Sequence, residues 1–516
     1  VSTTGDEQTT APPAAANSRA SVSGAGWDCP LSGELRDLRP RKPFSWLDPR
    51  PLIASRNDKI ARAKLFGGDP TNDERRRWMA ALGLSDPRID RTDLGERVSF
   101  VLAGDTGEGD MSQYVTIPLL DRLSEQTDFM VIVSDVIYPA GGAAMYVQNF
   151  YDVYDGYRRP IYAVPGNHDW YDGLSGFMFH LCGAETAPPA PKARLLSRAG
   201  LRELLSHRPP RLSASQRADL RGRRDARPAA GQPAPYWLLD TGPLQLVGID
   251  TGITGGIDRD QAAWLRRVSA ASPKPKILVT GKPLYVDGRH HAGAIEGEPA
   301  SSIDDVVRDP AHNYVAAIGG DIHNYQRYPV DVGGGRTIQY LVSGGGGAFM
   351  HATHTIPKLA LDGVSEHDYR CYPLRGDSLS FYSRLYERKW PFVRDVEIDP
   401  VQAAAYMAER LGITATKPDA RGVTVTDRTR RAAEQIFPLP GQNKRGLLQS
   451  LFSEYFDWND PPLFKHVLHV EASSAELHIR CLAATGCAGR EAGVLEDHLV
   501  AAPDADGTWR WTVVAP

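Results

Sequence analysis

The stretch IYAVPGNHDWYDG, Ile161 to Gly173, decides how the chain folds. Ile161 to Val164 is an apolar run that predicts a short buried strand. Pro165-Gly166 ends its ladder, and Asn167, His168 and Asp169 follow in immediate succession. Functional groups collect on loops at the carboxyl ends of strands in α/β sheets. Three such groups side by side at a strand exit therefore point to a site rather than to surface decoration.

The same punctuation recurs outward from this stretch. SFVLAGDTGEGD places Asp105 just after an apolar run, and FMVIVSDVIYPAGG places Asp135 and Tyr138 after another. KILVTGKPLYVDG does so with Lys282, and NYVAAIGGDIHNYQRY with Asp321 and His323. Five apolar strands thus end in Gly or Ser beside carboxylate, amide, imidazole, amine or phenol. Hard oxygen donors with imidazole predict a metal centre.

Composition bounds the rest. A chain of 516 residues, 41% hydrophobic and 24% charged, can bury a large core. A net charge of -4 predicts no nucleic-acid partner. The five cysteines are scattered, with Cys481 and Cys487 lacking a second thiol pair, which argues against a zinc knuckle. No stretch reaches the roughly 18 consecutive apolar residues of a membrane span. VSTTGDEQTTAPPAAANSRA has no basic start followed by an apolar run, so a cytoplasmic protein is expected, although a signal already removed would leave the same sequence. Oligomeric state is not legible.

Residues 1–24, rich in Ala, Ser, Thr and Pro, are expected to be disordered. Residues 25–95 form a lead-in with two short helices, DPRPLIASRNDKIARAKLFGG and NDERRRWMAALG, the second capped by Thr71 or Asn72. The core spans 96–360. Within it, SQYVTIPLLDRLSEQ has helical spacing at Val115, Leu119 and Leu120, and DRDQAAWLRRVSA turns Trp264, Leu265 and Val268 inward. An insertion at 186–235 is basic: Lys192 to Arg227 holds eleven Lys or Arg against Glu203, Asp219 and Asp225. It is either a solvated segment or an arm that draws an anionic substrate or acidic partner. Residues 361–435 are an insertion or small subdomain with one clear helix, DPVQAAAYMAERLG. Residues 436–516 carry alternating strands expected to complete the core by joining its second sheet.

The ordered motifs resemble the calcineurin-like metallophosphoesterases, and within them the purple acid phosphatase pattern. That pattern reads GDxG, GDxxY, GNH[D/E], VxxH and GHxH. Here it stands as Gly104-Asp105-Thr106-Gly107, Ser134-Asp135-Val136-Ile137-Tyr138, Gly166-Asn167-His168-Asp169, Val279-Thr280-Gly281-Lys282 and Gly320-Asp321-Ile322-His323. The resemblance covers roughly 98–350 plus the C-terminal strands. It implies a four-layer α/β/β/α sandwich with metal ligands on the loops at one end.

The resemblance also implies that Asp105, Asp135, Tyr138 and His323 hold one Fe(III) or other hard cation, with Asp135 as a bridge. A tyrosinate needs a strongly Lewis-acidic ion, since the phenol's ordinary pKa is about 10. The second family site departs: Lys282 and Asp321 stand where two histidines are expected. Either the Lys282 ammonium takes the second metal's place, or a weaker divalent ion (Mn, Fe, Zn or Mg) sits on Asp135, Asn167 and Asp321. The implied reaction is attack of a metal-bound hydroxide on phosphorus, with His168 as acid, Asp169 orienting its imidazole, and Lys282 stabilising phosphate charge.

Asn167, Lys282, Tyr285, Arg327, His351 and His354 are candidate contacts to substrate, each with an ordinary structural alternative. His290 and His291 are surface histidines or compensating ligands. The expected activity is hydrolysis of a phosphoester, specifically the monoester of an anionic phosphorylated small molecule, with no nucleic-acid or membrane partner. A different metal-dependent reaction on the same fold, or a catalytically silent metal- or phosphate-binding protein, are the alternatives.

Overall fold

The computed structural model describes residues 51, 70–189, 212–227, 231–389, 394–436, 464–484 and 493–514. Residues 1–24, the first lead-in helix apart from Pro51, and much of the basic insertion lie outside these. Among the described residues, strands form two large mixed sheets, with two short two-stranded ribbons, Tyr285–Val286 with Arg289–His290 and Ala294–Ile295 with Glu298–Ser302, beside them. β1 (Arg88–Arg91) edges the second sheet. β2 (Arg97–Gly104), β3 (Phe129–Val133) and β4 (Ile161–Val164) run parallel in the first.

β5 (Trp237–Thr241), β6 (Gln245–Ile249), β7 (Lys276–Thr280) and β8 (Tyr314–Gly319) return to the second sheet. There β6, β7 and β8 are parallel. β9 (Tyr325–Gly333), β10 (Arg336–Ser343) and β11 (Arg370–Tyr372) complete it in the order β1-β5-β6-β7-β8-β10-β9-β11. The chain then supplies β12 (Lys465–Ser473), β13 (Leu477–Ala484), β14 (Val494–Pro503) and β15 (Trp509–Val514) as an antiparallel meander.

That meander corrects one expectation. β12 pairs with β2, so the C-terminal strands extend the first sheet in the order β15-β14-β13-β12-β2-β3-β4. The parallel trio left the edge of β2 open, and an unpaired edge is a liability that covering strands remove.

Alternation assigns the layers. Phe100, Leu102, Val131 and Val133 point between the sheets toward Leu246, Ile277, Val279 and Ile318. Their neighbours Val101, Ala103, Met130 and Ile132 face outward onto Leu119, Leu120, Phe150 and Phe177. On the opposite outer face, Val247, Ile249 and Leu278 pack against Trp264, Leu265 and Val268 of the helix Arg259–Ala270. The result is a four-layer α/β/β/α sandwich.

Three helices differ from expectation in detail. Residues 111–124 form two helices, Met111–Tyr114 and Ile117–Ser124, because Pro118 has no N–H for the 114 carbonyl. The lead-in helix begins at Pro70, which places Thr71 and Asn72 inside its first turn rather than at its cap. In the 361–435 stretch the helix Pro400–Leu411 is joined by Arg375–Lys389 and Asp427–Gln435. Among the described residues no helix is long and apolar enough to cross a membrane.

Candidate active site

The exits of β2, β3 and β4 and of β7 and β8 bring the motif residues to one end of the sandwich. Asp105, Ser134, Asp135 and Asp321 all adopt left-handed backbone, at φ of 53°, 74°, 36° and 65°. Non-glycine residues reach that region at a cost of about 1–2 kcal/mol each, and such strain gathers at functional sites. Gly166 keeps the approach close: a Cβ there would stand 2.1 Å from Asp135 Oδ1. At Gly344 a Cβ would stand 2.4 Å from Asp105 Oδ2.

Asp105 is fully buried, and neither carboxylate oxygen has a hydrogen bond, although the Ser134 hydroxyl lies close by. Burial, then the neighbouring Asp135 and Asp321, push its pKa well above the carboxylate range. Asp135 is raised by burial too, and its Oδ1 accepts the His168 backbone N–H at 2.8 Å. The Tyr138 hydroxyl donates to Asp135 Oδ2 at 3.0 Å and lies 3.2 Å from His323 Nε2. Burial and the carboxylates around it lift the Tyr138 phenol well above its ordinary pKa.

His323 Nδ1 sits 2.6 Å from the Phe349 carbonyl, so Nδ1 carries the proton and Nε2 presents its lone pair inward. Among the described residues no three His, Cys, Asp or Glu already stand in the arrangement of a metal site. Instead, the Tyr138 hydroxyl donates to Asp135 and lies beside the His323 Nε2 lone pair. The donor chemistry nonetheless fits a hard cation: an orphaned buried carboxylate, a second carboxylate, a phenol and an oriented imidazole.

The second half of the site is arranged differently. Lys282 Nζ donates to Asn167 Oδ1 at 3.1 Å and to Asp321 Oδ1 at 2.5 Å. Asn167 Nδ2 donates to the Tyr171 hydroxyl at 2.9 Å, which fixes the amide orientation. His168, Lys282 and Asp321 are partly exposed and mark the mouth. Exposed His291 lies within electrostatic reach of Asp321 and Lys282, whereas His290 turns away, 2.8 Å from Asp304.

Several expected contacts lie elsewhere. Asp169 does not hold the His168 imidazole. Its carboxylate accepts from the backbone N–H of Val136, Ile137 and Gly166 at 3.0, 3.2 and 2.9 Å, tying the β3 exit to the β4 exit. The imidazole is held through Nδ1 by the Pro139 carbonyl at 2.7 Å.

Arg327 is buried between the sheets in an ion pair with Asp497 at 2.9 Å. Tyr285 packs on Tyr340 and accepts a hydrogen bond from Arg308. His354 is fully buried against Ser378, 2.9 Å away, and burial lowers its pKa to about 3. None of the three is placed to meet a substrate at the mouth. His351 stacks flat on His323 at 4.2 Å and accepts its backbone N–H, a supporting rather than contacting position.

Two features escaped the sequence reading. The glycine run forms a backbone clasp: Gly346 N–H donates to Gly104, Ala348 N–H to Asp105, and the Phe349 carbonyl takes His323. Lys465, 1% exposed on β12, donates to the Ala348 carbonyl beneath that clasp. A lysine at the start of the apolar alternation FKHVLHV was the one available signal. Arg75 was likewise unforeseen. It pairs with Asp250 at 2.8 Å and Asp258 at 2.7 Å, and Asp250 also accepts the Trp170 indole N–H beside the Asn-His-Asp turn.

No family model and no curated protein matches the chain. Among solved structures it is similar to GAP50, the anchor in the inner membrane complex of Plasmodium, with 13% identity, covering 52% of this chain and 75% of that one, at a TM-score of 0.32. It is similar to purple acid phosphatase PPD1 from yellow lupin (Lupinus luteus) seeds, with 11% identity, covering 80% and 54%, at 0.37. PhoD gives 11% identity, 81% and 72% coverage, and 0.34. At these scores no residue role is transferred from any of them.

Proposed function

We propose that the protein is a metal-dependent phosphoester hydrolase acting on a phosphomonoester of an anionic small molecule. The observation that carries this reading is Asp105: a fully buried carboxylate with two orphaned oxygens beside Asp135, Tyr138 and His323. Asp105, Asp135, Tyr138 and the His323 Nε2 would hold an Fe(III) or another hard cation. When bound, such an ion supplies Lewis-acid charge for phosphoryl oxygens and acidifies water.

The chain's own groups do the rest. The Lys282 ammonium, partly exposed at the mouth, donates to nonbridging phosphoryl oxygens. Asn167, held by Tyr171, orients the ammonium through its carbonyl oxygen. The Pro139 carbonyl fixes the His168 ring through Nδ1, which reserves Nε2 for carrying a proton to the leaving oxygen. Asp169 is a positioning residue that holds the loops bearing Asp135 and His168 together.

The test is turnover of an aryl phosphate by the metal-loaded protein and by Asp135→Asn and His168→Ala. Activity that survives both substitutions unchanged would remove this reading.

A further inference from the structure

Lys282 stands among the oxygens that a second cation would need. We propose that its ammonium permanently replaces that cation, so that the site holds one metal ion and one built-in positive charge. The inference rests on the phosphoesterase reading above and concerns how many metals that site takes.

Beyond Asp135, the side chains offering oxygen to a second cation are Asn167, through Oδ1, and Asp321. Lys282 Nζ donates to Asn167 Oδ1 at 3.1 Å and to Asp321 Oδ1 at 2.5 Å. A cation held by the same two oxygens would stand roughly 4 Å or less from the ammonium. Positive charges that close repel at a near-surface dielectric, and a divalent ion doubles the repulsion of a single charge. Lysine also brings no lone pair while charged, so it subtracts a ligand as well as adding repulsion.

The side chain is held in this position. The Lys282 backbone N–H donates to Thr251 Oγ1 at 3.1 Å, and its carbonyl accepts from Thr280 Oγ1 at 3.1 Å. The stem runs past Gly255, where a Cβ would stand 3.4 Å from Lys282 Cδ. Its side chain is only 12% exposed, against 23% for that of Asp321. Two of the three ammonium N–H bonds are committed to Asn167 and Asp321, which leaves the third for a phosphoryl oxygen at the mouth.

Charge balance agrees. Asp105, Asp135 and Asp321 bring three carboxylates together, and one multivalent cation plus one ammonium offsets them. A second divalent ion would leave the site strongly positive before substrate arrives.

The experiment is metal content per chain by elemental analysis after equilibration with excess Mn(II) or Fe and removal of unbound ions. It is made on the full chain, on Lys282→His and on Asp321→Ala, with circular dichroism to check folding. The expected result is one metal in the wild type, one in Asp321→Ala and two in Lys282→His. Two metals in the wild type, or one in a folded Lys282→His, would overturn the replacement while leaving the hydrolase reading standing. No metal in any of the three proteins would overturn the hydrolase reading itself.

Discussion

His168 and Asp169 are adjacent in sequence yet meet different partners. The imidazole rests on the Pro139 carbonyl at the mouth, while the carboxylate is buried on three backbone N–H groups. Their replacements should therefore fail in different ways. His168→Ala should lower kcat by about 10²–10⁴-fold with little change in stability, as for loss of a general acid. Asp169→Ala should cost about 3 kcal/mol or more, because three buried backbone N–H groups are left unpaired. Denaturant titration beside steady-state kinetics separates the two. His354→Ala belongs with Asp169: a loss of about 2–4 kcal/mol with kcat unchanged. At this scale the sequence was legible where a residue stands directly at a strand exit, as for Asp105, Asp135 and Lys282. It misled a few residues farther on. Tyr285 and Arg327 lie three and four positions past Lys282 and His323, by which point the chain has entered new strands and their side chains point into the core.

Elements carry the strain that the site requires. The left-handed turns at Asp105, Asp135 and Asp321 are held by the clasp from Gly344 to His351 and by the close approach of Gly166. Gly166→Ala should displace Asp135, because its new methyl carbon would overlap Oδ1 and the Asp135 backbone nitrogen. The expected outcome is a folded protein that binds its cation at least about tenfold more weakly, as for lost support of a ligand. Metal titration of the variant checks it, and unchanged affinity would show that the turn relaxes freely.

The helix Pro70–Leu82 is anchored through Arg75. Burial works against its charge, but Asp250 and Asp258 outweigh that and hold its pKa above the ordinary value. Arg75→Ala should destabilise by about 3–5 kcal/mol, since it strands two buried carboxylates. Helical periodicity could not reveal this arginine, because among Arg75, Arg76 and Arg77 nothing in the sequence distinguishes the one that turns inward.

Across the whole molecule, the two sheets are joined by apolar alternation and by buried charge. Arg327–Asp497 and Arg370–Glu496 bridge them at 2.9 and 3.9 Å. Burial raises the Glu496 pKa to about 7, against the opposing pull of Arg370. An acid held above its ordinary pKa stabilises the fold when protonated, and that contribution is lost as pH rises through about 7. Glu496→Gln should therefore gain about 2–3 kcal/mol relative to the wild type between pH 5 and 8.5, read by denaturant unfolding at both values.

The parallel strands were legible as unbroken apolar runs with Gly or Ser at their ends, and their stacking into a sandwich followed from the motif resemblance. Which edge the C-terminal meander joins was not legible, since alternation identifies two faces but no partner.

We propose that a cation at Asp105, Asp135, Tyr138 and His323 drives phosphoester hydrolysis. The most direct measurement is hydrolysis of 4-nitrophenyl phosphate by chelator-stripped protein before and after one equivalent of metal is restored. The expected result is no turnover before, turnover after, and none at either stage in Asp135→Asn. Metal that binds stoichiometrically without producing turnover on this or any phosphoester tried would contradict it.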